Sequence, residues 1–233
     1  MGIRTGAARR NDLGETMDLK QARYNMIEQQ IRPWDVLDQN VLDLFDKIPR
    51  DDFVPEGYRR LAYADIAIPI GHGQVMMHPK VEGRMLQALS PHATDKVLEV
   101  GTGSGFVTAL LASMAHHVYS VEIFPDLQQQ AATRLERHHI ANVTLEEGNG
   151  AMGWDRHGLY DVIAITGSLP ELPDSFQSSL NRGGRLFAIV GQAPVMEAVL
   201  ITRVGDQEFS HEVLFETDMI PLVEAPRPVE FVF

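Results

Sequence analysis

The sequence predicts an α/β fold: a doubly wound, mostly parallel sheet of the Rossmann-like class, with N-terminal helices before it and a C-terminal antiparallel hairpin after it. Three observations predict it. From Asp95 onward short apolar runs alternate with helical stretches. The first of these runs passes straight into Gly101-Thr-Gly-Ser-Gly105 and then into an Ala- and Leu-rich stretch. After the last alternating unit, two extended runs flank Gly205-Asp206, the pattern of a hairpin.

Taken in order, Leu19, Tyr24, Ile27 and Ile31 recur at helical spacing, which predicts an amphipathic helix from Asp18 to about Ile31, stopped by Pro33. A second helix covers Asp38 to Lys47, with Val41, Leu42, Leu44 and Phe45 inward and Pro49 ending it. Ile66 to Ile70 is extended and enters Gly71-His-Gly-Gln74; a helix from Lys80 to Leu89 follows, with Pro79 at its first turn. The alternating region then reads strand Lys96–Val100, helix Gly105–Met114, strand His117–Val121, helix Pro125–His138, strand Val143–Glu146 and strand Tyr160–Thr166. A helix at Asp174–Leu180 leads through Gly183-Gly184 to strand Arg185–Val190, and Met196–Arg203 with Glu208–Glu216 closes the sheet. The stretch from Pro221 to Pro228 reads as an extended tail that covers the sheet edge or meets a partner subunit.

Composition bounds the function. The 233 residues carry a formal net charge of −12, a field that repels phosphate backbones, so nucleic acid is not an expected partner. No run approaches the ~20 apolar residues that span a bilayer, so no membrane role is expected. The absence of cysteine excludes disulfides, thiolate catalysis and Cys-ligated metals, and fits a cytoplasmic place of work. Residues 1–17 read as a disordered extension or tag, and Met17 is a sensible start. Nine histidines invite a metal, but His116-His117 and His138-His139 are chain neighbours that cannot face one way, and no metal-binding spacing occurs. No metal site is expected.

The chemistry concentrates at the glycine turn. Gly101, Gly103 and Gly105, with Thr102 and Ser104 between them, let backbone N–H groups approach a ligand at the open end of the sheet. Glu122 closes the second strand 21 positions after Gly101, where a carboxylate can take both ribose hydroxyls of a nucleoside. Glu99 is an odd residue for a buried strand unless it meets a cation or donor, and the α-amino group of a methionine-like ligand is such a partner. Asn149, between Gly148 and Gly150, can accept a hydrogen bond from an adenine amino group. A dinucleotide turn prefers its third glycine one position later than Gly105, where this chain has Phe106. These residues therefore favour S-adenosyl-L-methionine, with NAD the runner-up.

Further motifs make a resemblance specific. Ile48-Pro-Arg50 precedes Phe53-Val54; Ile68-Pro-Ile-Gly71 precedes Gly73-Gln74 and Pro79; then come the glycine turn, Val121-Glu122, Gly148-Asn-Gly150 and Trp154. Pro170-Glu-Leu-Pro173, Gly183-Gly184 and Ile220-Pro-Leu222 complete the series. In this order they resemble the protein-L-isoaspartate (D-aspartate) O-methyltransferase family from about residue 20 to 225. The resemblance implies a class I methyltransferase fold, with residues 18–233 forming one domain: a helical and substrate-loop part (18–90) and a cofactor-binding core with the C-terminal strands (91–233). It implies transfer of the cofactor methyl to an isoaspartyl carboxylate of a damaged protein, with Ile70, Gln74, Met77 and His78 on the substrate side. The methyl ester then cyclises to a succinimide that hydrolyses partly to aspartate.

That carboxylate is already ionised at neutral pH, so no strong base is required, and no catalytic side chain is assigned. One departure from the family matters most. The loop that normally reads Gly-Gln-Thr-(aliphatic)-Ser-x-Pro is here Gly73-Gln74-Val75-Met76-Met77-His78-Pro79, without either hydroxyl. A thioether is only a weak acceptor and cannot orient a carboxylate; His72 and His78 are the nearby donors. Asn149 stands where the family carries Asp, a milder change. The same scaffold acting on another substrate, or binding the cofactor without catalysis, are the alternatives. Oligomeric state, monomer or homodimer, stays open.

Overall fold

The computed structural model describes residues 18–226; the expectations for residues 1–17 and for the tail beyond Pro226 lie outside the described residues. Helix α1 (18–26) continues through a wide π turn at Ile27–Ile31 and a tight turn at Arg32–Trp34. Pro33 therefore does not stop the chain at Ile31. It sits at the start of the tight turn, where its missing N–H is not needed, and Asp35 in the left-handed region (φ 60°) ends the run. In α2 (Gln39–Lys47) the Asp38 carboxylate accepts from the Asn40 N–H at 2.8 Å, and the inward residues are the four predicted ones.

Two strands the sequence treats as a single extended stretch and a turn, β1 (Ile68–Gly71) and β2 (Gln74–Met76), pair as a small antiparallel hairpin. Helix α3 (Pro79–Leu89) follows it. The main sheet contains β3 (Lys96–Val100), β4 (His117–Glu122), β5 (Val143–Glu147), β6 (Tyr160–Leu169), β7 (Leu180–Gln192), β8 (Val195–Arg203) and β9 (Phe209–Thr217) in the order β5-β4-β3-β6-β7-β8-β9. Strands β3 to β7 are parallel, and β8 and β9 add the antiparallel closure. Helices α4 (Phe106–Met114) and α5 (Pro125–Arg137) connect β3 to β4 and β4 to β5. The chain winds outward from β3 to β5 and then crosses back to β6 on the other side of β3. That reversal opens a crevice at the carboxyl ends of β3 and β6.

Both faces of β3 are covered, which is why it reads as an apolar run rather than an alternating one. Val97 belongs to a core shared with α2, α3, α4 and the first strand pair. Leu98 and Val100 face the opposite core with Trp154, Phe176 and Leu186. The period of two along a strand thus puts Glu99 on the Val97 side, beneath α4. In the first core the rings of Phe45 and Phe53 meet Phe106 edge-on, at 6.0 and 5.5 Å between centroids.

Two departures concern the second half. Helix α6 is only Asp174–Ser178, because Leu180 already pairs with Tyr160 as the first residue of β7, and Gly183-Gly184 lie in the register shift before Arg185. Among the described residues the tail does not cover the sheet edge, the first of its two expected roles. It docks on β6 instead: the Ser168 N–H donates to Ile220 O (3.0 Å), the Leu222 N–H donates to Ser168 O (2.9 Å), and the Ser168 hydroxyl donates to Met219 O (2.8 Å).

Gly105 caps α4 with φ 83°, and a Cβ built there would lie 3.0 Å from the Ala131 Cβ and 3.3 Å from its Cα. Gly105→Ala combines left-handed strain with overpacking against α5, and should cost about 2 kcal/mol. A lowered urea midpoint with an unchanged slope would register it.

Candidate active site

The crevice is built on the glycine turn. The Gly101 and Thr102 N–H groups donate to Val121 O (2.9 and 3.3 Å), which holds the turn against the end of β4. Gly101 has φ 99°, and a Cβ there would fall 2.4 Å from the Thr166 Oγ1, so the backbone runs directly over β6. Thr166 in turn donates to Val100 O and Gly101 O at 2.9 and 2.6 Å. The β6–β7 register shifts between Ala164 and Ser168, and that irregularity brings Thr166 and Gly167 under the turn.

Glu122 sits at the centre of the cleft wall. Its Oε2 accepts from the Gly103 N–H (2.7 Å) and its Oε1 from the Phe124 N–H (3.0 Å), so the carboxylate ties the glycine turn to the chain leaving β4. Gly148, Asn149 and Gly150 line the neighbouring stretch. The Asn149 Oδ1 accepts from the Ala151 N–H (2.9 Å), and its Nδ2 donates to the Glu224 carboxylate (2.7 Å). This second bond clasps the tail, whose Met219, Ile220, Leu222 and Val223 form the far wall of a cleft of about 620 Å3.

The β1–β2 hairpin makes the roof, with Ile70, Gln74 and Val75 facing inward. His72 anchors the hairpin tip: its ring stacks on Phe124 at 4.1 Å and its Nε2 bonds both Asp126 oxygens at 2.9 Å. That hydrogen bond holds the Asp126 carboxyl below the usual range. A smaller inner pocket continues past Ile70 and Val75 to Met76, Met77 and Glu82. Glu82 forms a fully buried ion pair with Arg50, whose other nitrogen donates to Met77 O at 2.7 Å. A third groove, on the outer side of Val75, is lined by His78, Asp218, Met219 and Ile220.

The structure brings Gly101, Gly103, Glu122, Gly148, Asn149, Gly150, Ile70 and Gln74 to one cleft, and Thr102, Ser104 and Met77 to its inner extension. Three expected residues fall elsewhere. Glu99 is wholly buried and does not line the cleft; its Oε2 accepts from Thr108 (2.5 Å) and Ser120 (2.6 Å) beneath α4, because strand alternation turns it away. Gly105 packs on Ala131 rather than on the cleft. His78 bonds Asp65 at 3.0 Å and faces the outer groove. Of Lys80, Arg84 and Arg182, cations that could attract an acidic peptide, Lys80 is engaged with Asp65 (2.6 Å) and the Trp34 ring, and Arg84 with Asp35 (3.8 Å) and the Phe215 ring. Sequence reasoning missed Thr166, Gly167, Phe124, Leu127 and the inner-pocket role of Glu82. Of the tail's part, the only sign was the motif Ile220-Pro-Leu222. Among the described residues no group of three or more His, Asp or Glu could hold a metal, and no helix is long and apolar enough to cross a membrane.

Residues 21–227 match the family model for protein-L-isoaspartate(D-aspartate) O-methyltransferase. The protein-L-isoaspartate O-methyltransferase of Xanthomonas campestris pv. campestris (strain B100) is 40% identical over 211 residues, covering 91% of this chain and 93% of that protein. Protein-L-isoaspartate O-methyltransferase 1 of Geotalea uraniireducens is 37% identical over 203 residues, covering 87% and 90%. The fold is shared with a candidate protein-L-isoaspartate O-methyltransferase of Plasmodium falciparum, solved in complex with S-adenosyl-L-homocysteine, at TM-score 0.72 and 20% identity over 88% of this chain and 97% of that one. A second solved protein-L-isoaspartate O-methyltransferase superposes at TM-score 0.69 and 23% identity, over 85% and 65%.

Burial pushes the Glu99 carboxyl up to about 8, against the pull of its two hydroxyl donors. Between pH 4.5 and 8 the folded chain then keeps a proton that the unfolded chain has released, so this group's contribution to stability falls as pH rises through that window. Glu99→Gln should abolish this slope, so that the urea midpoint of the wild type drops relative to the variant from pH 5 to pH 8. Parallel profiles would mean that the carboxyl is ionised throughout.

Proposed function

Because the chain belongs to the protein-L-isoaspartate(D-aspartate) O-methyltransferase family, and with it is an S-adenosylmethionine-dependent methyltransferase, we propose that the cleft beside Glu122 takes the cofactor and that the acceptor is an isoaspartyl carboxylate of a damaged protein. The observation that carries the reading is the position of Glu122, a carboxylate at the cleft wall with its backbone anchors already made and lone pairs left for two hydroxyls. The cleft lies at the sheet's switch point, where open α/β sheets take their ligands.

In this reading Glu122 takes the ribose hydroxyls. Gly148, Asn149 and Gly150 meet the adenine, with Phe124 and Leu127 supplying apolar cover. The open backbone of Gly101 and Gly103 and the side chains of Thr102 and Ser104 border the amino-acid end. When bound, the cofactor supplies an electrophilic methyl group on a sulfonium. The chain's own work is to align the acceptor and keep water away. An isoaspartyl carboxylate with a pKa near 4 arrives ionised, so no residue has to remove a proton. Desolvation by Ile70, Val75, Ile220 and Leu222 raises the reactivity of the carboxylate, and orientation removes the entropic cost of encounter. The damaged peptide lies along the outer groove, past His78, and its side chain enters between Val75 and Ile220, which border both spaces. Gln74 supplies an amide donor at that entrance. The lack of cysteine supports a cytoplasmic place of work.

A second reading, the same methyl transfer to a different acceptor, is favoured by one observation. The loop beside the cleft presents Val75 and Met77, neither of which can donate a hydrogen bond to a carboxylate.

Incubation with methyl-labelled cofactor and an isoaspartyl peptide beside its aspartyl twin tests the two readings. Base-labile label on the isoaspartyl peptide alone is the expected outcome. Cofactor binding without any labelling of that peptide would favour the other acceptor. Met77→Ser restores one donor, and should raise kcat/KM for the isoaspartyl peptide about tenfold, the worth of one charge-assisted hydrogen bond.

A further inference from the structure

The inner pocket holds a single ionisable side chain among its described lining residues, Glu82. It shares Ile70, Val75, Gly101, Gly103 and Thr166 with the main cleft, so the two spaces adjoin. Arg50 engages Oε2 of Glu82, and a carboxylate keeps lone pairs for a second donor at Oε1. Arg50 is itself held at the Met77 carbonyl and over the Phe106 ring (5.0 Å), so it fixes the carboxylate's position. The same pocket is lined by Gly103, Ser104 and the first residues of α4, Phe106 and Val107, the positive end of a helix dipole. A pocket lined by a carboxylate and by the positive end of a helix suits a zwitterion. Burial raises the Glu82 pKa, which marks a carboxylate short of solvation and receptive to a further cation.

We infer that Glu82 recognises the α-ammonium group of the cofactor's amino-acid end, the role the sequence pattern assigns to Glu99. This rests on the cofactor reading of the cleft. Glu99 cannot do it, because it is sealed under α4 with its hydroxyl partners. Arg50 is a positioning residue that acts through Glu82.

The test is a binding cycle by calorimetry. S-adenosyl-L-homocysteine and its analogue lacking the α-amino group are titrated into wild type and Glu82→Gln, with 5′-methylthioadenosine as a probe of the nucleoside end. In wild type, loss of the amine should weaken binding ten- to a hundredfold, as expected for a charge-assisted hydrogen bond. In Glu82→Gln that ratio should shrink to within about threefold, while the affinity for 5′-methylthioadenosine stays unchanged. An equal ratio in the two proteins overturns the inference, as does a parallel loss of affinity for all three ligands, which a merely structural role would give. Failure of wild type to bind S-adenosyl-L-homocysteine at all overturns the cofactor reading, and the inference with it. Should Glu82→Gln fail to fold with Arg50 unpaired, Arg50→Met combined with Glu82→Gln removes both buried charges together, and the same ratio is read there.

Discussion

The architecture turns on how closely other elements approach the backbone where β3 leaves the sheet. Thr166 of β6 comes within 2.4 Å of where a Gly101 Cβ would stand, and Ala131 of α5 within 3.0 Å of where a Gly105 Cβ would stand. One approach closes the floor of the cleft and the other seats α5 against the turn. Both use positive φ at a residue with no side chain, and neither position tolerates even a methyl group without movement. Once the turn is held this way, the N–H of Gly103 lies within 2.7 Å of Glu122, and the cleft wall follows from that bond.

Around this turn the protein buries charges that an ordinary core would exclude, and each is accommodated differently. Glu99 takes hydroxyl donors from Thr108 and Ser120 at Oε2, with Thr102 joined to Ser120 at 2.6 Å, and burial favours its neutral form. Arg50 and Glu82 neutralise each other, and the guanidinium also fixes the Met77 carbonyl, so the loop beside the cleft is held from inside the core. Breaking such a pair from one side leaves an uncompensated charge, which binds the shape of the loop to the integrity of the core. The roof and the far wall are secured from the surface instead, by His72 on Phe124 and by Asn149 on Glu224. An aspartate at position 149 would set two carboxylates against each other there; the amide found in this chain turns the contact into a clasp.

Much of this was legible in the sequence because it is local. Strand and helix alternation, the glycine turn and the hairpin depend on residues within a few positions of one another, and they appear in the expected order, with β6 three residues longer at its end and β7 starting five residues earlier than expected. Glu122 could be placed because a strand, a turn, a helix and a second strand consume a nearly fixed number of residues. The misses share the opposite cause. Arg50 and Glu82 are 32 positions apart, Asn149 and Glu224 are 75 apart, and Thr166 reaches Gly101 from 65 positions away. No periodicity links such pairs. The Pro221 stretch was legible as extended but not as the wall of a cleft, because that depends on Ser168 offering it both backbone groups and a hydroxyl.

By itself the sequence determined the class of fold, the family and the carboxylate that faces the cleft, since spacing and strand-end position carry that information. Only the tertiary structure decided which acidic residue meets the cleft and which is hidden. Glu99 was the natural candidate for a cationic ligand from its place one residue before the turn. The pleat of β3 turns it under α4, and α3, brought in from outside the sheet, puts Glu82 at the pocket. A strand's face is set by what packs on each side of it, and that is known only once the helices are in place.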